Sequence, residues 1–419
     1  MGSDTLNDRV TSASGYDKWN VVALGARDYY ETAVGLHKAN MLEWLYTDFY
    51  MPDRLQRCSK RRFNAALTSA KTRSLWSIGA LAVVLARLPL PKRVHHAFQL
   101  GLDNAFGFLC AAIIHISGSR KSIVYSYYLE GFVGFHRLTR TRPAALICFQ
   151  VHPSPEFVQA VLARDARAFA AVQPMSFVQD QEANYNARAV DRYRRALTFA
   201  DHIICASHIT RESLGSDVHA PVSIVPYGSR FDRRPIAQQT GAVVDKIRLI
   251  SVCQVVQRKG LHWAFYAMKQ LPDDVQQQFE WHVVGRTVDE GIREVAPTNV
   301  RYSAFLSEDA LSDAMSESDL FIMPSLVEGF GLVYIEALSM GTPILYTRAT
   351  GAADFCESGR HGFLVPASDW RSIRDVLVLC ARDPERLLSM RASCISLSRT
   401  VTWERFHRGV VAAAQGTGA

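Results

Sequence analysis

Short apolar runs alternate with amphipathic stretches along most of this chain, most regularly after Lys246. The run Ile247-Arg248-Leu249-Ile250-Ser251-Val252 predicts a buried strand, and residues 263–270 predict an amphipathic helix. Trp281-His282-Val283-Val284-Gly285 predicts the next strand and Val300-Arg301-Tyr302 another. Glu308-Asp309 marks the start of a helix over 307–316. A strand over 319–325 then leads into the loop Glu328-Gly329-Phe330-Gly331 and a helix over 332–340. That helix stops at Gly341-Thr342-Pro343, before the apolar run Ile344-Leu345-Tyr346. Short apolar strands separated by helices imply a parallel sheet covered on both faces. Ligands of such sheets sit at the carboxyl ends of the strands, so the loops after Val252, Val284 and Met323 should face one cleft.

Residues before 236 show the same alternation less regularly. Strands are predicted at 21–25, 122–126, 145–150, 200–207 and 222–228, with a helix over 31–44. A chain of 419 residues exceeds what one core usually serves. The expected organisation is a flexible N-terminus over 1–20, an N-terminal Rossmann-like domain over 21–235 and a C-terminal one over 236–400. A helix or tail over 401–419 is expected to return to the N-terminal domain. Residues 232–245, with Arg-Arg-Pro, Gln-Gln and Gly, have the composition of the linker.

Charge divides the chain in the same place. Residues 1–235 hold 29 Lys and Arg against 19 Asp and Glu, and residues 236–419 hold 18 against 21. Within 54–142 there are 15 basic residues and two acidic ones, Asp103 and Glu130. A basic half joined to a slightly acidic half implies an anionic partner for the first alone. The eight cysteines show no CxxC pairing and mostly sit in apolar runs, which predicts small core residues in a reducing compartment. Residues 1–20 lack the apolar segment of a secretory signal, so a cytoplasmic protein is expected.

The chemistry concentrates in 325–345. A strand, a glycine-bearing loop and a helix start form a ready anion site, because free N–H groups and the helix dipole favour a diphosphate. Glu328 stands before the helix, where a carboxylate can accept bonds from sugar hydroxyls. Glu336 lies eight residues on, about 12 Å along a helical path. Arg258 and Lys259 follow the strand 247–252 and can neutralise two phosphates, one as a fork and one as a point charge. No Asp-x-Asp motif stands in a strand-end loop, so no metal is expected and these cations with the helix dipole should replace it.

This stretch resembles the donor-binding signature of the retaining glycosyltransferases of family 4: two glutamates separated by seven residues, with Gly-Phe-Gly after the first. The resemblance widens over ADHIICAS, VPYGSRFD, SVCQVVQRKGLHWAFYAM, HVVG and GAADFCESGRHGFLVP, and is strong over about residues 200–370. It implies the GT-B fold, two doubly wound parallel-sheet domains facing a cleft, with 21–235 on the acceptor side and 236–400 binding the nucleotide sugar, and a nucleotide-diphosphate sugar as donor, a UDP- or GDP-sugar, with no other cofactor. It places Glu328 on the donor sugar and Glu336 on the ribose. Arg258, Lys259, Gly329, Phe330, Gly331 and Leu332 complete the donor site. His152, after the strand 145–150, matches a histidine that approaches donor sugar and acceptor. Many similar proteins have Gly-Arg where this chain has Cys253-Gln254, which shifts the cationic load to Arg258 and Lys259. The loop after the first strand has a single glycine, Gly25, and Arg27 and Asp28 there receive no role.

The expectation is thus a retaining, metal-independent hexosyltransferase of cell-envelope or polysaccharide synthesis, acting on a hydroxyl of a glycan or lipid-linked acceptor. Residues 54–93 combine a basic cluster with an apolar, Trp-bearing segment and suit an anionic membrane surface, which would place the protein on the membrane's inner face. A core helix over 75–88 is the other account of that segment, and both stay open. The rival functions are a sugar-nucleotide epimerase on the same scaffold and a catalytically silent sugar- or nucleic-acid-binding protein. Nucleic acid is not expected, since no RNA-reading aromatic motif or DNA-binding helix pair is present.

Overall fold

Two parallel sheets account for every strand that the computed structural model describes. It covers residues 18–23, 28–51, 62–67, 71–88, 91–119, 121–178, 180, 183–229 and 246–417. The first sheet contains β1 (Trp19–Val22), β2 (Leu42–Thr47), β3 (Thr72–Ser74), β4 (Lys121–Tyr125), β5 (Ala145–Gln150), β6 (His202–Cys205) and β7 (Val222–Ile224). The second contains β8 (Ile247–Val252), β9 (Phe279–Val284), β10 (Val300–Ser303), β11 (Leu320–Ile322), β12 (Ile344–Thr347) and β13 (Gly362–Val365). Their spatial orders are β3-β2-β1-β4-β5-β6-β7 and β10-β9-β8-β11-β12-β13. Each sheet reverses its winding once, between β1 and β4 and between β8 and β11, and these reversals are where such folds open a crevice.

Burial explains the strand composition. β5 is buried along its whole length, as is β12, and both read as unbroken apolar or small-residue runs because helices cover both faces. The expected helix over 31–44 is shorter than its composition suggests. It ends at Lys38 because Asn40 adopts a left-handed backbone, φ 57°, and the chain then turns into β2. Leu42-Glu43-Trp44 therefore belongs to a strand. The segment 75–88 is the helix Trp76–Arg87, and the 25-residue helix Lys92–Ile116 that follows it was not predicted. Asp273 and Asp274 open a short exposed helix, Asp273–Gln276. The linker 232–245, the N-terminal 1–17, the basic residues 54–61 and Arg27 lie outside the described residues.

The last helix, Trp403–Gly416, crosses back to the first sheet. It packs on the helix Glu31–Lys38, where His407 Nε2 meets Glu31 Oε2 at 2.7 Å. Gly228 permits the crossing, since a Cβ there would lie 2.2 Å from the Trp403 nitrogen.

A second link joins the domains directly. Asp165, on the helix Pro155–Ala170, is buried and reaches into the second domain. Its carboxylate accepts from Gln257 Nε2 (2.9 Å), Trp263 Nε1 (2.6 Å) and Ser368 Oγ (2.6 Å), and meets His262 Nε2 at 3.0 Å. Burial pushes its carboxyl up, but the hydrogen bond and charge of His262, with Ser368 and Trp263, outweigh it and hold the group below its ordinary value. A carboxyl lowered on folding stabilises above its unfolded value and loses that contribution as pH falls through the folded one. Asp165→Ala leaves buried donors without an acceptor and should cost about 3 kcal/mol or more at neutral pH. Urea denaturation at pH 7 and again well below pH 4 should show this difference shrinking in acid.

Candidate active site

The loops after β8 and β11 border the crevice of the second sheet. Beyond β8 the chain makes a single turn, Gln257–Lys259, and ends it at Gly260 with φ 72°. A Cβ on Gly260 would lie 2.0 Å from the Pro324 oxygen, so glycine lets the two loops touch. The Leu326 nitrogen then donates to the Arg258 oxygen at 2.8 Å and fixes their register.

This stitching brings three charges together. Arg258 Nη1 donates to Glu328 Oε2 at 2.9 Å, and Lys259 Nζ donates to the same oxygen. All three side chains are between 11 and 13% exposed. Asp180, in the stretch after the helix Pro155–Ala170, lies 3.2 Å from Arg258 Nε. Burial would raise the Glu328 carboxyl, but Lys259, Arg258 and His152 overcome it and hold the group far below the usual carboxylate range. Glu328 is therefore a fixed negative charge at any working pH.

The loop that carries Glu328 is clamped from the other domain. Ser207 Oγ and Thr210 Oγ1 (3.1 Å) donate to the Gly329 oxygen. A Cβ on Gly329 would lie 2.5 Å from the Val151 oxygen and 3.3 Å from the His152 Cα, so this loop abuts the end of β5. Phe330 is buried against Tyr227, with ring centroids 5.5 Å apart, so only its backbone faces outward chemistry. Gly331, φ 80°, caps the helix Leu332–Ser339 with no side-chain cap, and the first N–H groups of that helix have no capping side chain. Leu332 opens that helix, and Glu336 lies a little over one turn in, half-buried. Only the last part of the interval from Glu328 to Glu336 is helical.

His152 lies just beyond β5, its Nδ1 3.4 Å from the Pro153 oxygen, and Gln150 Nε2 donates to its carbonyl at 2.6 Å. It shares a cleft with Leu100, Asn104, Tyr127 and Tyr185. Structure thus groups Glu328, Arg258 and Lys259 tightly, with the backbone of Gly329–Gly331 beside them and His152 facing that loop. Asp28 stands apart. It accepts from Tyr30 N (3.0 Å), Thr32 N (3.0 Å), Thr32 Oγ1 (2.8 Å) and the Tyr125 hydroxyl, and fixes the start of the helix Glu31–Lys38. Sequence reasoning missed Asp180, Ser207 and Thr210, because each acts from the opposite domain. Gly260 was findable as a glycine directly after Arg258-Lys259.

A pair of doubly wound domains with this crevice defines the GT-B architecture. Residues 232–396, which include the second sheet and its helices, match the family described as "Glycosyl transferases group 1". The chain is 26% identical over 159 residues to the putative colanic acid biosynthesis glycosyltransferase WcaL of Escherichia coli K12, covering 35% of this chain and 37% of that one. It is 34% identical over 106 residues to D-inositol 3-phosphate glycosyltransferase of Rhodococcus opacus, 25% and 23% of the two chains. The matches thus span only about a quarter to a third of those relatives. Across the whole fold the chain superposes on sucrose-phosphate synthase of Thermosynechococcus elongatus with a TM-score of 0.66 at 15% identity, covering 96% and 98% of the chains. It also superposes on Anabaena HepE in complex with UDP-glucose, TM-score 0.58 at 15% identity, over 95% and 99%.

Glu328→Gln leaves Arg258 and Lys259 without that counter-charge. The ligand-free protein should lose about 3 kcal/mol, while a bound diphosphate supplies replacement charge. Added UDP should therefore raise the melting temperature of the variant more than that of wild type in scanning fluorimetry. An equal or smaller rise would place both cations out of reach of the phosphates.

Proposed function

We propose that this chain is a retaining, metal-independent glycosyltransferase that moves a sugar from a UDP- or GDP-sugar to a hydroxyl of a glycan or lipid-linked acceptor. The group 1 domain and the polysaccharide-forming relatives support sugar transfer. One observation carries the mechanism: the buried carboxylate of Glu328, held between Arg258 and Lys259 at the mouth of a helix-capped crevice.

A nucleoside diphosphate entering that crevice offers its phosphates to the same two cations. The exchange releases Glu328 from them and leaves an ionised acceptor for the donor sugar's hydroxyls. Glu336 takes the ribose diol, and the backbone N–H groups at Gly331 and Leu332 face the phosphates. The acceptor hydroxyl, positioned from the His152 side, then attacks the anomeric carbon from the face the diphosphate leaves. A carbon–oxygen bond forms to the acceptor as the bond to phosphate breaks, and the hydroxyl proton passes to the departing phosphate oxygen. Arg258, Lys259 and the helix terminus stabilise the charge that develops there. The products are a glycoside of unchanged anomeric configuration and a nucleoside diphosphate. The protein acts in the cytoplasm, on the inner face of the membrane.

Glu336→Ala should weaken nucleoside-diphosphate binding about tenfold to a hundredfold, since a hydrogen bond to a charged group contributes roughly 1.5–3 kcal/mol. Isothermal titration with UDP and GDP measures it, and unchanged affinity would remove Glu336 from the site. Transfer followed by NMR of the product's anomeric proton tests retention. The rate should be unaffected by EDTA, and a strict Mg²⁺ or Mn²⁺ requirement would contradict the assigned electrostatics.

A further inference from the structure

Two consecutive helices of the first domain carry apolar residues on the side they turn to solvent. On Trp76–Arg87 the exposed positions include Trp76, Ala80, Leu81 and Val84, with Leu88 just after the last turn. Trp76 is 67% exposed and Val84 56%. On Lys92–Ile116 they include Val94, Phe98, Gly101, Ala105 and Leu109, which recur every third or fourth residue, and Ile116 two turns further on, and they form one stripe. The other side of this helix is already committed. Phe106, Cys110 and Ala111 are fully buried, and Gly107 lies so close to the helix Ser126–Thr139 that a Cβ would stand 2.1 Å from the Tyr128 oxygen. Apolar residues thus lie both on the side of this helix packed within the chain and, among the described residues, on the side open to solvent.

Charge indicates what covers the other side. Between residues 71 and 93 the chain has Lys71, Arg73, Arg87, Lys92 and Arg93, and no Asp or Glu. Lys92 and Arg93 fall in the first turn of their helix, where the dipole favours acidic residues and disfavours cations, and they place positive charge at the start of the apolar stripe. Apolar stripes flanked by cations match a bilayer with anionic headgroups, into which such helices settle in the plane of the interface.

We propose that the outer face of the helices Trp76–Arg87 and Lys92–Ile116 docks on an anionic lipid bilayer. The same long helix turns Leu100 and Asn104 into the cleft that holds His152, so one element joins the lipid surface to the acceptor side of the crevice. The acceptor is then an amphiphile, a sugar carried on a membrane-embedded lipid and delivered along that helix. This second step rests on the proposed transfer reaction, whereas the docking does not.

Vesicle co-sedimentation tests the docking without reference to catalysis. The full chain should pellet with vesicles of phosphatidylcholine and phosphatidylglycerol, bind pure phosphatidylcholine weakly, and be released as salt rises. The variant Trp76→Ser, Leu81→Gln, Val84→Gln, Phe98→Gln changes exposed side chains only and should bind at least about tenfold more weakly, as should Lys92→Glu, Arg93→Glu. Both variants should keep the wild-type melting temperature and its rise with UDP, which separates lost docking from misfolding and from failure of the donor site. Three outcomes would overturn the proposal: wild type that ignores both vesicle types, variants that bind as well as wild type, or a wild-type dimer that the apolar variant dissociates while vesicles have no effect.

Discussion

A carboxylate cannot be buried alone, and the arrangement of this protein's cleft follows from how Glu328 is compensated. The cost of taking an ion out of water is several kcal/mol, and it is recovered only when opposite charge is held at hydrogen-bonding distance. Arg258 and Lys259 supply that charge from a different strand end. Their loop must therefore reach the loop of Glu328, which is why Gly260 sits against Pro324 with no room for a side chain. The result is a site balanced while empty: two cations and one anion, with Asp180 closing the outer side of the arginine. In the proposed reaction a doubly negative ligand would disturb that balance by competing for the cations and would free the carboxylate in the same step.

Much of this was legible in the amino-acid order. The apolar runs around Leu249, Val283, Phe321 and Leu345 located the core of the second sheet. Gly-Phe-Gly between two glutamates located the helix start. These signals are local: each strand and each turn carries its own periodicity and its own glycine. Elements whose fate is decided at a distance were harder. Residues 42–44 resemble a helix continuation, and only the left-handed Asn40 diverts them into β2. The helix Trp76–Arg87 falls within the expected 75–88, whereas Lys92–Ile116 went unpredicted because His95, His96, Gln99, Asp103 and Asn104 interrupt its apolar run.

The candidate site divides along the same line. Glu328, Arg258 and Lys259 could be named because a charged residue at a strand end has few structural reasons to be there. Their mutual contact could not, since it depends on how two loops pack. Asp165, Ser207 and Thr210 were invisible for a related reason. An aspartate on an amphipathic helix and hydroxyls after a strand look like ordinary caps or solvated groups until the other domain is placed against them.

The hydroxyl contacts to the Gly329 oxygen have a consequence for motion. Ser207 and Thr210 belong to the first domain, while Gly329 belongs to the loop of Glu328 in the second. A hinge movement that widens the cleft between them breaks those bonds and exposes the carbonyl to water. The loop's geometry is therefore tied to the angle between the domains. If that loop meets the donor, as proposed, nucleotide affinity depends on both domains, and by reciprocity a bound nucleotide favours the closed form. Separated from its partner, the second domain would keep its sheet and its charges and lose the clamp on that loop.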